Sequence, residues 1–130
     1  YSGETLYACS PPYRTWKVLK TGLYNIHSLS NMTVGTEEYL LIPIWDSNSN
    51  TKLWVYHPLT DEWYQEFTGA FSGSLFAVVI DDYVYINYGD DSTGSNRHEI
   101  YRASITGYNP SGGRHPSFSI VGNGNVPFGY

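Results

Sequence analysis

Gly, Pro or Asn interrupts this 130-residue chain every few positions. That punctuation leaves no stretch long enough to carry an amphipathic helix. What remains between the breaks is short and rich in β-branched and aromatic residues: Leu6 to Cys9, Trp16 to Leu19, Tyr39 to Ile42, Leu53 to Tyr56, Phe76 to Ile80, Tyr83 to Ile86, Glu99 to Ala103 and Phe118 to Val121. Such runs read as strands. The run at Leu53 ends at His57-Pro58, where proline cannot continue a central ladder. Phe76 to Ile80 meets Tyr83 to Ile86 across Asp81-Asp82, a two-residue hairpin connection. Glu37-Glu38 is expected to turn into Tyr39 to Ile42 in the same manner. The expectation is an all-β protein of antiparallel sheets, with residues 1–130 forming a single domain.

Composition narrows the class further. Aromatic residues make up 17% of the chain and charged residues 15%, the reverse of the balance that keeps a chain disordered. A net charge of −5 disfavours nucleic acid, whose phosphates demand a basic footprint. No apolar run approaches the length of a membrane helix, so a soluble protein without membrane insertion is expected. Cys9 is the single cysteine and cannot form an intramolecular disulfide. It is expected to be a small buried apolar residue. Asn31-Met32-Thr33 is a formal glycosylation acceptor. The chain starts at Tyr1-Ser2-Gly3 without an initiator Met or a signal-peptide core, as expected of a mature form or a domain of something longer. A surplus of Tyr, Ser, Asn and Gly over Lys and Glu suits an extracellular or virion-surface location.

Internal repetition is more informative. A shift of 47 positions places Leu6 on Leu53, Tyr7 on Trp54, Ala8 on Val55, Pro11 on Pro58 and Trp16 on Trp63. A second register places Glu37-Glu38-Tyr39 on Asp81-Asp82-Tyr83, Lys52 on Arg97 and Tyr56 on Tyr101. The unit is about 45 residues, the period of propeller blades. Tyr56, Pro58, Thr60 and Trp63 fall at the spacing of a "Y-x-P-x-T-x-x-W" turn, and the segment Glu37 to Tyr64 resembles a kelch repeat. The resemblance is partial across Ser74 to Tyr108, where the closing Trp is missing, and Leu6 to Trp16 matches only the end of a unit. The paired glycines of that family are absent; Ile44-Trp45 and Tyr88-Gly89 stand there instead. The resemblance implies propeller blades, completed by oligomerisation or belonging to a larger propeller, and a protein-interaction module. Two units and a fragment cannot close a ring by themselves. The alternative, a β-sandwich of nine or ten short strands, closes by itself at this length and is the expectation carried forward.

Catalytic motifs are absent from the sequence. It has no G-x-S-x-G elbow, no H-E-x-x-H helix, no phosphate loop and no dinucleotide fingerprint. The paired carboxylates Glu37-Glu38, Asp61-Glu62, Asp81-Asp82 and Asp90-Asp91 fall at expected turns. Neighbours on a strand point to opposite faces, so they are poor candidates for a glycosidase pair. Asp46-Ser47-Asn48-Ser49-Asn50 copies the start of a calcium loop, but Thr51 replaces the required Gly and His57 the closing Glu. No metal or other cofactor is expected.

Aromatic placement is the positive signal. Tyr13 lies in a Pro-Pro-Tyr-Arg turn, Tyr108 in Gly-Tyr-Asn-Pro, Trp45 at a strand end beside Asp46, and Tyr88 beside Gly89 and Asp90. Flat rings next to carboxylates, amides and hydroxyls suit sugars, whose apolar face stacks on the ring while hydroxyls find polar partners. The candidate ligand-binding set is Trp45, Asp46, Asn48, Tyr88, Asp90, Tyr13 and Tyr108, with the rings facing solvent, whereas Trp54 and Trp63 are expected in the core. The function expected is non-enzymatic recognition of a cell-surface glycan or glycoprotein receptor. A kelch-like interaction module and a glycan-cleaving enzyme are the alternatives. Few charges, and a Gly-rich tail from Gly107 onward able to lie along a neighbour, suggest a homo-oligomer.

Overall fold

The computed structural model describes residues 3–12, 14–45, 51–69, 74–90 and 97–124. Among these, ten strands form three antiparallel sheets. A hairpin pairs β1 (Glu4–Cys9) with β2 (Trp16–Leu23). A four-stranded sheet follows in the order β3 (Ser30–Val34), β4 (Glu37–Trp45), β5 (Thr51–His57) and β6 (Glu62–Thr68). A second one runs β7 (Ser74–Ile80), β8 (Tyr83–Asp90), β9 (Arg97–Ser104) and β10 (Ser119–Gly124). Strands adjacent in sequence are adjacent in each sheet, and none of the sheets closes into a barrel. The all-β expectation therefore holds, with meander connections and a third layer beyond the two of a simple sandwich.

The layers follow from alternation along the strands. In β4 and β5, Tyr39, Leu41, Leu53 and Val55 point to one face. Leu40, Ile42, Ile44, Trp54 and Tyr56 point to the other. Both sets are apolar, so β3–β6 must be covered twice. The first set packs against Leu75, Ala77, Val84, Ile86, Tyr88 and Ala103 of the last sheet. The second packs against Leu6 and Leu23 of the hairpin. Ile42 and Ile86 are fully enclosed; each contributes about 1.5–3 kcal/mol relative to an exposed side chain. Polar contacts pin the layers. Ile26 N–H donates to Glu4 Oε1 at 2.6 Å, and Ser30 Oγ donates to the Ala77 carbonyl at 3.4 Å. His27 Nδ1 lies 3.0 Å from the Leu75 carbonyl and 3.2 Å from its amide nitrogen, tying the β2–β3 connection to β7.

Several local expectations change. The first four-stranded sheet turns at Gly35-Thr36 rather than Glu37-Glu38, because Val34 pairs with Glu37 and Gly35 supplies the positive φ of +61°. Asp81 adopts a φ of +54° at the corresponding turn between β7 and β8. Strands β3 and β6 form where no apolar run announces them; each lies at a sheet edge and keeps polar residues on its surface. Cys9 is only half-buried, since it faces outward opposite Trp16. Trp54 and Trp63 are half-buried rather than sealed, with Lys20 Nζ lying 4.9 and 5.0 Å from their rings. From Gly107 to Gly124 the tail folds back on its own chain, Tyr108 entering the core and β10 pairing with β9. Residues 125–130 lie outside the described residues.

The turn between β5 and β6 shows how one motif holds two strands. Tyr56 donates its hydroxyl to Asp61 Oδ1 at 2.7 Å, and Asp61 N–H donates to the His57 carbonyl at 2.8 Å. The Tyr56 and Trp63 rings meet at 4.7 Å. Burial, reinforced by the Asp61 carboxylate, pushes the Tyr56 phenol up to about 12. An unfolded tyrosine ionises near pH 10, so between about pH 10 and 12 unfolding releases a proton and stability falls as pH rises. Tyr56→Phe is expected to flatten that decline, as read by denaturant unfolding across the range. Where β6 ends, a Cβ on Gly69 would collide with the Tyr88 hydroxyl and Thr51 Oγ1. Gly69→Ala is expected to cost about 2 kcal/mol or more, measured by urea unfolding.

Candidate functional site

The structure separates the residues singled out from sequence. Tyr88 is 1% exposed and Tyr108 7% exposed, so the expectation of solvent-facing rings is corrected at both. Tyr88 follows Val84 and Ile86 on the inward side of β8 and meets Phe67 edge-on at 6.0 Å. Strand parity outweighs its polar neighbours Gly89 and Asp90. Tyr108 sits edge-on to Tyr39 at 5.0 Å, drawn into the core by the fold of its loop. Trp45 and Asp90 end β4 and β8, where their backbones pair with Thr51 and Arg97. Their side chains, together with Tyr13, Asp46 and Asn48, lie outside what the structure describes.

At the opposite end of the sheets, the connection between β9 and β10 builds a site. Ile105 N–H donates to the Asp82 carbonyl at 2.9 Å, continuing the sheet beyond β9. Gly107 takes a φ of +73°, and Tyr108 N–H returns to the Ile105 carbonyl at 3.0 Å. Asn109 then caps one 3-10 turn at Pro110–Gly112, its side chain accepting from the Gly112 amide at 3.3 Å. Backbone bonds in both directions between Asn109 and Arg114, at 3.0 and 2.9 Å, close the loop. A connection held by this many backbone bonds presents its side chains in fixed positions.

Below the loop lies Glu66 of β6, its side chain only 3% exposed. Tyr108 donates its hydroxyl to Glu66 Oε2, and His115 Nδ1 lies 2.7 and 2.9 Å from the two carboxylate oxygens. Burial first, then the bond to Glu66, raises the Tyr108 phenol far above its ordinary range. Its hydroxyl therefore remains a donor at any physiological pH. A buried carboxylate is costly unless paired and hydrogen-bonded, and both conditions are met. Tyr39 extends the group by stacking on His57 at 4.6 Å. His57 in turn lies 3.0 Å from Glu37 and 2.9 Å from Thr60.

Above this clamp opens a cleft of about 290 Å³, lined by Ser104, Thr106, Tyr108, Arg114, His115 and Pro116 among others. The Arg114 guanidinium reaches back beside Gly107. No carboxylate among the described residues pairs with it. The cleft thus combines a guanidinium, two hydroxyl-bearing side chains and an imidazole whose other nitrogen is held by Glu66. Such a surface can bind a carboxylate through a two-pronged guanidinium contact and sugar hydroxyls through the rest. Among the described residues, no group of His, Cys, Asp and Glu is arranged to hold a metal ion.

Sequence reading did not single out Glu66, Arg114 or His115 as ligand-binding residues. Glu66 and His115 are 49 positions apart, and nothing local marks their meeting; the turn-rich Gly-Tyr-Asn-Pro segment is the nearest signal. Compared with known proteins, the chain matches no family model and no curated protein at a significant level. Tyr108→Phe removes one donor from the buried Glu66 and is expected to cost about 1–3 kcal/mol. Arg114→Ala, an exposed change outside the clamp, should stay within about 0.5 kcal/mol. Parallel denaturant titrations of the two variants check both values.

Proposed function

We propose that this chain is a non-enzymatic recognition domain of an extracellular or virion-surface protein. It binds a cell-surface glycan or glycoprotein receptor, with the cleft at Arg114 as the contact for an acidic sugar. The observation that carries this reading is the Arg114 guanidinium, paired with no carboxylate among the described residues, beside Ser104, Thr106 and His115 in a cleft near the lower end of small-ligand pocket volumes. An overall charge of −5 makes this cation a selective feature rather than part of a general basic surface. The Glu66 carboxylate has both oxygens engaged by Tyr108 and His115, which favours a binding role for this cluster over glycan cleavage.

The alternative, a kelch-like protein-interaction module, draws support from the repeated four-stranded meander and from the Tyr56–Trp63 turn. Fold analogy of that sort says little about the partner. Titration with a sialoside and with neutral monosaccharides, followed by NMR line shifts, separates the readings. The expected result is binding of the acidic sugar at about millimolar strength, as suits a single small contact, with at least tenfold loss in Arg114→Ala. A folded protein that binds neither class of sugar at that concentration removes the glycan reading.

A further inference from the structure

His115 faces two environments. Its Nδ1 lies 2.7 and 2.9 Å from the two oxygens of Glu66, a carboxylate whose side chain is only 3% exposed. The His115 side chain itself is 48% exposed and lines the cleft. An ionised carboxylate can only accept hydrogen bonds, so Nδ1 carries a proton and donates it. That contact fixes the tautomer. In the uncharged ring the bare nitrogen is Nε2, on the edge turned away from Glu66. No hydrogen bond from the described residues engages Nε2.

One proton therefore changes what this edge of the ring offers. Without it, Nε2 is an acceptor and suits a hydroxyl. With it, Nε2–H is a donor on a cation, lining the same cleft as Arg114, and bonds between charged partners are roughly twice as strong as neutral ones. Strand β6 presents two titratable groups to the ring. Glu66 favours the charged form, and Tyr64 lies edge-on with ring centres 6.5 Å apart. The β9–β10 connection presents Tyr108, through Glu66, and Arg114, whose charge opposes protonation. Burial raises both phenols, so they stay neutral. An anion seated in the cleft offsets the Arg114 charge and adds its own attraction. Ligand and proton thus favour each other.

We propose that His115 is the specificity-determining residue of this cleft: its protonation turns the site toward anionic ligands, so an acidic sugar binds more tightly as pH falls. The inference rests on the acidic-sugar reading above. Imidazoles change charge between about pH 5 and 8, whereas a carboxylate with an ordinary pKa near 4 stays ionised throughout, so the proton that matters is on the protein. Binding is strongest at the acid end of that range and weakens as pH rises through it. Linkage makes the effect reciprocal, and bound sugar holds the His115 proton more tightly by the same factor. Nδ1 donates to Glu66 in both states, so the loop keeps its anchor and the change is confined to the cleft edge of the ring.

Sialoside titrations followed by NMR line shifts, at about pH 5.5 and about pH 8, test this. Affinity is expected to be about five- to tenfold higher at the lower pH. His115→Gln retains an amide able to donate toward Glu66 but takes up no proton, so its affinity should be equal at the two pH values. Should that variant fail to fold, the His115 ring resonance of the wild-type chain reads the same coupling. Its titration midpoint is expected to rise by on the order of one pH unit when sialoside is added. Equal wild-type affinity at both pH values, a midpoint unmoved by sialoside, or a pH dependence that survives His115→Gln overturns the inference and leaves the acidic-sugar reading standing. A folded protein that binds no sialoside at either pH removes that reading, and the inference with it.

Discussion

Everything in this fold depends on the middle sheet having two apolar faces. Tyr39, Leu41, Leu53 and Val55 on one side, and Leu40, Ile42, Ile44 and Tyr56 on the other, leave β4 and β5 no side to offer to water. A sheet of that composition is stable only between two others, so the hairpin and the last sheet are required partners rather than additions. The near-continuous apolar run of β4 is the sequence record of this double burial, which in other proteins marks the inner strands of parallel sheets. The position of Gly69 follows from the same closeness, because Tyr88 and Thr51 fill the space where its side chain would be.

The second organising contact is the Glu66 clamp. One carboxylate on β6 engages Tyr108 and His115 at the two ends of the β9–β10 connection. It thereby links the middle sheet to a loop of the last one. Hydrophobic burial sets the distance between the layers, but it does not select one loop conformation over another. The charged hydrogen bonds, with the Asn109–Arg114 backbone bridge, do so and aim Arg114 at the cleft. Stability and presentation of the candidate site are therefore carried by different interactions. Arg114 contributes to the second while standing outside the first.

Strand positions were largely legible in the sequence because strand formation depends on short-range preferences and on turn residues. Eight of the runs read from sequence fall within or overlap observed strands. Cys9 pairs with Trp16 in the hairpin and Tyr56 with Trp63 in the middle sheet. Edge strands β3 and β6 escaped because a strand with one wet face needs few apolar residues. The turn at Gly35 was misplaced by two residues because adjacent acidic residues imitate the Asp81-Asp82 turn, whereas Gly35 holds the backbone conformation.

Alone, the sequence determined the class of structure and most of the places where the chain bends. These are set by backbone preferences acting over a few positions. It did not determine which way a ring points. Tyr88 and Tyr108 look like loop aromatics beside polar residues, yet both lie in the interior, because parity along β8 and the return of the loop onto Glu66 outweigh their neighbours. Tertiary structure alone decided that Glu66 would meet Tyr108 and His115, 42 and 49 positions away. The stacking of whole sheets creates such proximities, and no local preference encodes them.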